Sequence, residues 1–212
     1  MDFEQARFNM IEQQIRPWQV LDPAVLQLLS LVRREDFVPA ALRHLALGDT
    51  ELPLAAGRRM LAPRVEARLL QDAQIQPHER VLELGTGNGY LTALLCHQAA
   101  EVVSVDPDAA LLDAVRANLR RLGLTRCDLV QGDPARGCPS KAPFDVIVLT
   151  GSLHEVPAAL LAQLRPQGRL LAIVGDEPVM QAVRIQGGAR TELFDTVAAR
   201  LPGATEPSPF VF

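Results

Sequence analysis

Short apolar runs alternate with amphipathic segments in the second part of the chain. The apolar runs cover 81–84, 102–105, 127–130, 144–149 and 170–174. Helical segments lie between them at 91–96, 109–122 and 157–164; in the second, Leu112, Val115 and Leu119 share one face. Strands that alternate with helices predict a parallel α/β sheet with right-handed crossovers. Two further runs, 180–185 and 193–199, flank Gly187-Gly188 and predict a closing antiparallel hairpin at one edge.

The first part of the chain has mainly helical periodicity. Helices are predicted over 6–15, from Asp22-Pro23 to about 32, over 39–45 and over 63–75. Residues 48–63 contain several glycines and prolines, so they are predicted to form an irregular loop with a short strand. We therefore predict a helical N-terminal extension over 1–76 and an α/β domain over 77–212, packed as one compact unit.

The composition excludes several classes of protein. The chain has 212 residues, 48% of them hydrophobic and only 4% aromatic, so we expect a folded domain with a core of Leu, Val and Ala. A net charge of -4 gives no basic footprint for nucleic acid. No apolar run approaches the ~20 residues that span a bilayer, so no membrane partner is expected.

The cysteines and the N-terminus predict a cytoplasmic protein. Cys96, Cys127 and Cys138 are odd in number and lack C-x-x-C spacing, which argues against a disulfide framework and against a metal site. The first residues are polar and acidic, unlike a signal peptide. The simplest interpretation is three thiols in a reducing cytoplasm.

A glycine-rich turn follows the first predicted strand. Gly85, Gly87 and Gly89 lie at alternate positions before a predicted helix, which lets the backbone approach a ligand closely. A dinucleotide fingerprint would need a third glycine at position 90, where Tyr90 stands. This disfavours an NAD-dependent oxidoreductase.

Two carboxylates follow the next strands. Asp106 directly follows the strand 102–105 and is placed to accept hydrogen bonds from two ribose hydroxyls. It could also cap a helix before Pro107. Asp133 follows Gly132 after the third strand, where it contacts a ligand or only shapes a turn before Pro134. The carboxyl ends of parallel strands share one edge of a sheet, so we expect both acids beside the glycine turn.

The segment E-L-G-T-G-N-G (83–89) resembles motif I of the class I S-adenosylmethionine methyltransferases. The resemblance implies a Rossmann-like fold with a mostly parallel seven-stranded sheet flanked by helices. The helical N-terminal layer predicted above would then cover the cofactor site. The resemblance also implies S-adenosylmethionine as the cofactor. The residues implied in its binding are Glu83, Gly85, Thr86, Gly87, Asn88, Gly89, Asp106, Gly132 and Asp133.

Further stretches resemble the protein-L-isoaspartate O-methyltransferases, over about residues 6–185. They are M-I-E-Q-Q-I-R-P (10–17), V-R-R-E-D-F-V-P (32–39), L-P-L (52–54), A-P-F-D (142–145) and E-V-P (155–157). The resemblance implies methyl transfer to the α-carboxylate of isoaspartyl residues, the first step of protein repair. Its partner would be a protein or peptide substrate.

One departure falls in the substrate loop. The family reads G-Q-T-I-S-x-P, whereas this chain has G-R-R-M-L-A-P over 57–63. Arg59 replaces the threonine and Leu61 the serine, and a leucine cannot donate a hydrogen bond to a carboxylate. Three hypotheses stay open: an isoaspartyl carboxyl methyltransferase, a methyltransferase with another, small acceptor, and a cofactor-binding protein without catalysis.

The arginines near this loop offer a replacement for the lost hydroxyls. Lys141 is the only lysine among 21 basic residues, which reflects genome composition or a need for planar forks that bind carboxylates. Arg58, Arg59, Arg64 and Arg68 form a local positive cluster in the sequence, so Arg59 is predicted to recognise the acceptor carboxylate. A carboxylate acceptor needs no general base; an acceptor of higher pKa would need one, and His154 is the nearby candidate.

Overall fold

The computed structural model describes residues 2–54 and 57–204. The predicted domain over 77–212 therefore extends, at 205–212, outside the described residues. The α-helices are α1 (Phe3–Met10), α2 (Pro23–Leu31), α3 (Pro63–Ala73), α4 (Tyr90–Gln98), α5 (Ala109–Arg121) and α6 (Ala158–Leu161). The strands are β1 (Leu52–Pro53), β2 (Arg59–Met60), β3 (Arg80–Leu84), β4 (Glu101–Asp106), β5 (Cys127–Gln131), β6 (Phe144–Leu153), β7 (Leu164–Asp176), β8 (Val179–Gln186) and β9 (Ala189–Thr196).

Seven of these strands form one sheet in the order β5-β4-β3-β6-β7-β8-β9. The first five strands of that order are parallel, and β8 and β9 are antiparallel additions at one edge. Gly187 and Gly188 have φ values of 57° and 81°, which a tight hairpin turn requires. The predicted fold class and the closing hairpin are confirmed.

Two predicted helices differ from those observed. The segment 6–15 is not one α-helix: α1 begins at Phe3 and gives way to a π-helical turn over Ile11–Ile15, followed by a 3-10 turn. Pro17 lacks the N–H group that would continue an α-helix here. The helix predicted over 157–164 has only four residues, because Leu164 already belongs to β7 and pairs with Phe144.

The N-terminal helices share a core with one face of the sheet. Leu29 of α2, Leu69 of α3, Leu94 of α4 and Val146 of β6 lie in one buried apolar cluster. A second cluster covers the opposite face of the sheet, beneath α6. Among the described residues the longest helix, α5, has 13 residues, and no helix is long and apolar enough to cross a membrane.

Candidate functional site

The glycine loop (residues 85–89) joins β3 to α4 at the carboxyl edge of the sheet. Gly85, Gly87 and Gly89 all have positive φ values, of 93°, 54° and 82°. A Cβ atom on Gly89 would lie 2.5 Å from Val115 Cγ1, so this position tolerates only glycine without a shift of α5. The loop is thus a bare backbone turn that ends at the N-terminus of a helix, an arrangement suited to close contact with a ligand.

Glu83 holds the glycine loop from below. Its Oε2 atom accepts hydrogen bonds from Thr92 Oγ1 and Ser104 Oγ, each at 2.6 Å. Ser104 Oγ lies 2.6 Å from Thr86 Oγ1, so the chain of hydrogen bonds reaches the loop itself. Desolvation raises the pKa of the Glu83 carboxyl to about 8, against the opposing effect of the two hydroxyl donors. Glu83 and Thr86 therefore shape the loop, and their contact with a cofactor stays a prediction.

The raised pKa of Glu83 predicts a pH-dependent stability. The folded protein keeps a proton that the unfolded chain loses above its ordinary pKa of 4.5, so this stabilisation is lost as the pH rises through about 8. Glu83→Gln, which stays neutral, should reduce the decline in the free energy of unfolding between about pH 6 and pH 9. Urea unfolding at several pH values measures this. Glu155→Gln, at an exposed position, is the control; equal slopes in Glu83→Gln and wild type would contradict the assignment.

Asp106 brings a buried carboxylate to the carboxyl end of β4. Its side chain is 1% exposed. Oδ2 accepts a hydrogen bond from Gly87 N at 3.2 Å, and Oδ1 accepts one from Asp108 N at 3.0 Å. The predicted hydroxyl acceptor is thus fixed beside the glycine loop. Arg58 Nη1 also donates to Oδ1, at 2.6 Å.

Asp133 and Asn88 contact other residues of the protein. Asp133 Oδ1 accepts a hydrogen bond from Ala135 N at 3.0 Å and caps a short 3-10 turn, as the turn interpretation expects. Gly203 packs so closely on Asp133 that a Cβ atom there would lie 2.1 Å from Oδ1. Asn88 Nδ2 lies 2.8 Å from Met60 Sδ and ties the glycine loop to β2. Gly132 N donates to Asp106 O at 3.1 Å, which sets the two strand ends side by side.

The substrate loop places its two predicted residues differently. Arg59 lies on the wall of the crevice between the glycine loop and β2, with a side chain 52% exposed and 3.7 Å from Glu51 Oε2. Leu61 is 4% exposed and belongs to the hydrophobic core. We call this space the site crevice; its walls include Arg58, Arg59, Gly85, Gly87, Asp106 and Thr150. Of the two residues, Arg59 is the one that borders it.

The arginine cluster of the sequence divides in the fold. Arg64 pairs with Asp49 and stacks on Trp18, with its guanidinium carbon 4.5 Å from the ring centroid. Arg68 pairs with Asp72 at 2.8 Å and lies 5.3 Å from the ring of Phe194. These two arginines therefore join α3 to the N-terminal layer and to β9, whereas Arg58 and Arg59 reach the site crevice.

His154 lies beyond the end of the crevice wall. Its Nδ1 atom is 2.7 Å from Asp176 Oδ2, and Arg200 pairs with the other oxygen of the same carboxylate. Although desolvation acts in the opposite direction, these two partners hold the pKa of Asp176 below its usual range. The imidazole is 48% exposed. The geometry thus gives His154 a carboxylate partner outside the crevice lining.

A buried polar network supports β2. The sequence pattern did not indicate this network. Arg34 is fully buried and donates a hydrogen bond to Leu61 O at 2.5 Å, while Glu66 Oε2 lies 3.4 Å away. The guanidinium also lies 5.4 Å from the ring centre of Tyr90, at the start of α4. Desolvation raises the pKa of Glu66 to about 7, against the opposing charge of Arg34. This network joins the substrate loop to α3 and α4.

The site crevice presents groups that suit the predicted cofactor. Asp106 supplies acceptor oxygens for vicinal hydroxyls, and the glycine backbone with its positive φ values allows a ligand to approach closely. Within residues 2–54 and 57–204, no group of three or more His, Cys, Asp or Glu side chains could hold a metal ion.

Comparisons with known proteins agree with this geometry. The family model of protein-L-isoaspartate(D-aspartate) O-methyltransferases matches residues 5–198. A protein-L-isoaspartate O-methyltransferase of Koribacter versatilis is 38% identical over 208 residues, or 96% of this chain and 93% of the relative. One of Methanoculleus marisnigri is 40% identical over 179 residues, or 84% and 81%.

A solved structure has the same fold. It comes from Plasmodium falciparum, is assigned as a protein-L-isoaspartate O-methyltransferase and contains S-adenosyl-L-homocysteine. The TM-score is 0.76 at 18% identity, with 95% of this chain and 98% of that chain covered. At this identity the likeness supports the fold alone, and it agrees with the Rossmann-like sheet described above.

Proposed function

The chain belongs to the protein-L-isoaspartate O-methyltransferase family, and from this premise we propose that it methylates the α-carboxylate of isoaspartyl residues in proteins, with S-adenosylmethionine as its cofactor. The observation that carries the proposal is one crevice in which Asp106 and the glycine loop face an arginine of the substrate loop. The first two suit the cofactor, and the arginine suits an anionic acceptor.

The cofactor is assigned to residues at three strand ends. Asp106 would hold the ribose hydroxyls, and Gly85, Gly87 and Gly89 would lie along the methionine part. Thr86 and Asn88 would contact it from the loop, and Gly132 and Asp133 would border the adenine end. When bound, the cofactor supplies a methyl group on a positively charged sulfur.

We further infer that the helical layer over 1–76 covers this site. We also infer that the protein works in a reducing cytoplasm, because Cys96, Cys127 and Cys138 are free thiols.

Methyl transfer to a carboxylate depends on the positioning of the two reactants rather than on proton transfer. A carboxylate acceptor is already ionised at neutral pH, so no general base has to remove a proton. His154, the one candidate base from the sequence, is held by Asp176 away from the crevice lining, in keeping with an acidic acceptor. The chain's own task is to hold the acceptor oxygen in line with the methyl group and to exclude water.

Arg59 is proposed to hold the acceptor carboxylate. A guanidinium matches a carboxylate with two parallel hydrogen bonds and so replaces the two hydroxyl donors of the family motif. The Arg59 side chain is half-exposed and lies 3.7 Å from Glu51 Oε2, an ion pair that an incoming carboxylate can displace at small cost. Leu61, buried at the family serine position, supplies apolar packing behind β2.

Methyl transfer to an isoaspartyl peptide, followed by mass spectrometry, tests this proposal. Arg59→Ala should raise KM for the peptide about tenfold and change kcat little, because one charge-assisted contact is lost on binding. Arg59→Lys should restore part of the affinity. Unchanged KM in Arg59→Ala would overturn the role of Arg59, and a wild-type protein that binds S-adenosylhomocysteine without methylating the peptide would refute the proposed acceptor.

A further inference from the structure

Arg58 occupies the carboxylate that the cofactor needs. Its Nη1 atom lies 2.6 Å from Asp106 Oδ1 and its Nη2 atom lies 3.1 Å from Asp108 Oδ2, so the planar guanidinium bridges two carboxylates. The side chain of Arg58 is only 14% exposed and that of Asp106 only 1%. Asp106 Oδ1 accepts from both Arg58 Nη1 and Asp108 N, so this oxygen has no lone pair left for a ribose hydroxyl while the guanidinium holds it.

The site crevice is nearly closed in this arrangement. Its cavity measures about 30 Å³, whereas sites for ligands of this size measure roughly 300–1,000 Å³. A groove of about 810 Å³ adjoins the crevice and shares the lining residues Arg58, Ala199, Arg200 and Pro202 with it. Arg58 therefore borders both the small crevice cavity and an open groove that is large enough for part of a peptide.

We propose that Arg58 is a latch that exchanges partners: it closes on Asp106 when the cofactor is absent, and it turns to the acceptor carboxylate once the ribose has taken Asp106. Both halves rest on the proposed function, which assigns the ribose to Asp106 and the acceptor carboxylate to this crevice. Gly57 precedes Arg58 and has a φ value of 72°, and a Cβ atom there would meet no heavy atom of residues 2–54 and 57–204 within 4 Å, so the backbone can change direction at this position. Binding of the cofactor releases the Arg58 guanidinium, and binding of the acceptor carboxylate uses it. Each binding event therefore favours the other.

The latch predicts that removing a positive charge tightens cofactor binding. A protein whose competent state is only partly populated binds with an affinity reduced by that fraction, so Arg58→Ala should bind S-adenosylhomocysteine about tenfold more tightly than wild type. Titration calorimetry measures this without any turnover. Arg116→Ala, which removes the same charge from the surface of α5, is the matched control and should leave the affinity unchanged.

Asp108→Asn tests the latch without altering Arg58 or Asp106. The amide oxygen can still cap α5 by accepting from Leu111 N, but the ion pair with Arg58 is lost. Affinity for S-adenosylhomocysteine should rise about threefold, because one of the two carboxylates that hold the guanidinium has become neutral. Weaker or unchanged binding in Arg58→Ala would overturn the latch and make Arg58 either a cofactor ligand or a bystander.

The coupling is tested with an isoaspartyl peptide as the second ligand. The wild-type protein should bind it about tenfold more tightly with saturating S-adenosylhomocysteine than without, and Arg58→Ala should lose this difference. Equal peptide affinities with and without the cofactor product would contradict the exchange. A wild-type protein that binds no S-adenosylhomocysteine would instead refute the proposed function, so the two failures can be told apart.

Discussion

Arg34→Met is expected to lower the free energy of unfolding by about 3–5 kcal/mol, the usual cost of removing one partner from a buried ion pair. Arg34 is 0% exposed, and its loss leaves Leu61 O without this donor and Glu66 without a counter-charge. Urea unfolding followed by circular dichroism measures the change. This decrease in the free energy of unfolding should be larger at higher pH. Burial already raises the pKa of Glu66 to about 7, and without Arg34 its carboxylate would be ionised with no counter-charge.

Arg33 provides the control for Arg34. The two residues are adjacent, but the Arg33 side chain is 58% exposed and pairs with Asp36 at the surface. Arg33→Met should therefore change the free energy of unfolding by less than about 0.5 kcal/mol. If the two variants were equally stable, the buried network would not be what holds the substrate loop against α3 and α4.

Asp106→Ala is expected to weaken binding of S-adenosylhomocysteine about 100-fold, since hydrogen bonds to a charged acceptor contribute about 1.5–3 kcal/mol each and the ribose offers two donors. The latch with Arg58 is lost in the same variant, which offsets part of this effect. Calorimetry measures the affinity, and thermal unfolding checks that the sheet is intact.

Asp113→Ala is the matched variant for Asp106→Ala. Asp113 lies on α5 with its side chain 76% exposed, so its removal changes the net charge by the same amount away from the crevice. Its affinity for S-adenosylhomocysteine should equal that of wild type. A loss of less than threefold in Asp106→Ala would show that the cofactor does not use this carboxylate.

The sheet and the glycine loop could be predicted from the sequence because their signals are local. A buried parallel strand needs a short apolar run, and a strand-to-helix turn with positive φ values needs glycines, so Gly85, Gly87 and Gly89 mark the site directly. The carboxyl-edge rule then places Asp106 beside them without knowledge of any contact.

The partners of the arginines could not be predicted in this way. Arg33 and Arg34 are adjacent and chemically identical in the sequence, yet one is exposed and the other is fully buried, since only the packing of α3 and α4 decides between them. Arg58 meets Asp106 across 48 positions of the chain. The predicted positive cluster divides because Arg64 stacks on Trp18, a partner that no local pattern indicates.

Transfer of a methyl group to the carboxylate of an isoaspartyl residue in this crevice is tested most directly with two peptides that differ only in whether one residue is isoaspartyl or normal aspartyl. Each is incubated with the protein and S-adenosylmethionine and analysed by mass spectrometry. One methyl group should be added to the isoaspartyl peptide and none to its aspartyl counterpart. Methylation of both peptides at equal rates, or of neither by a protein that binds S-adenosylhomocysteine, would contradict this expectation.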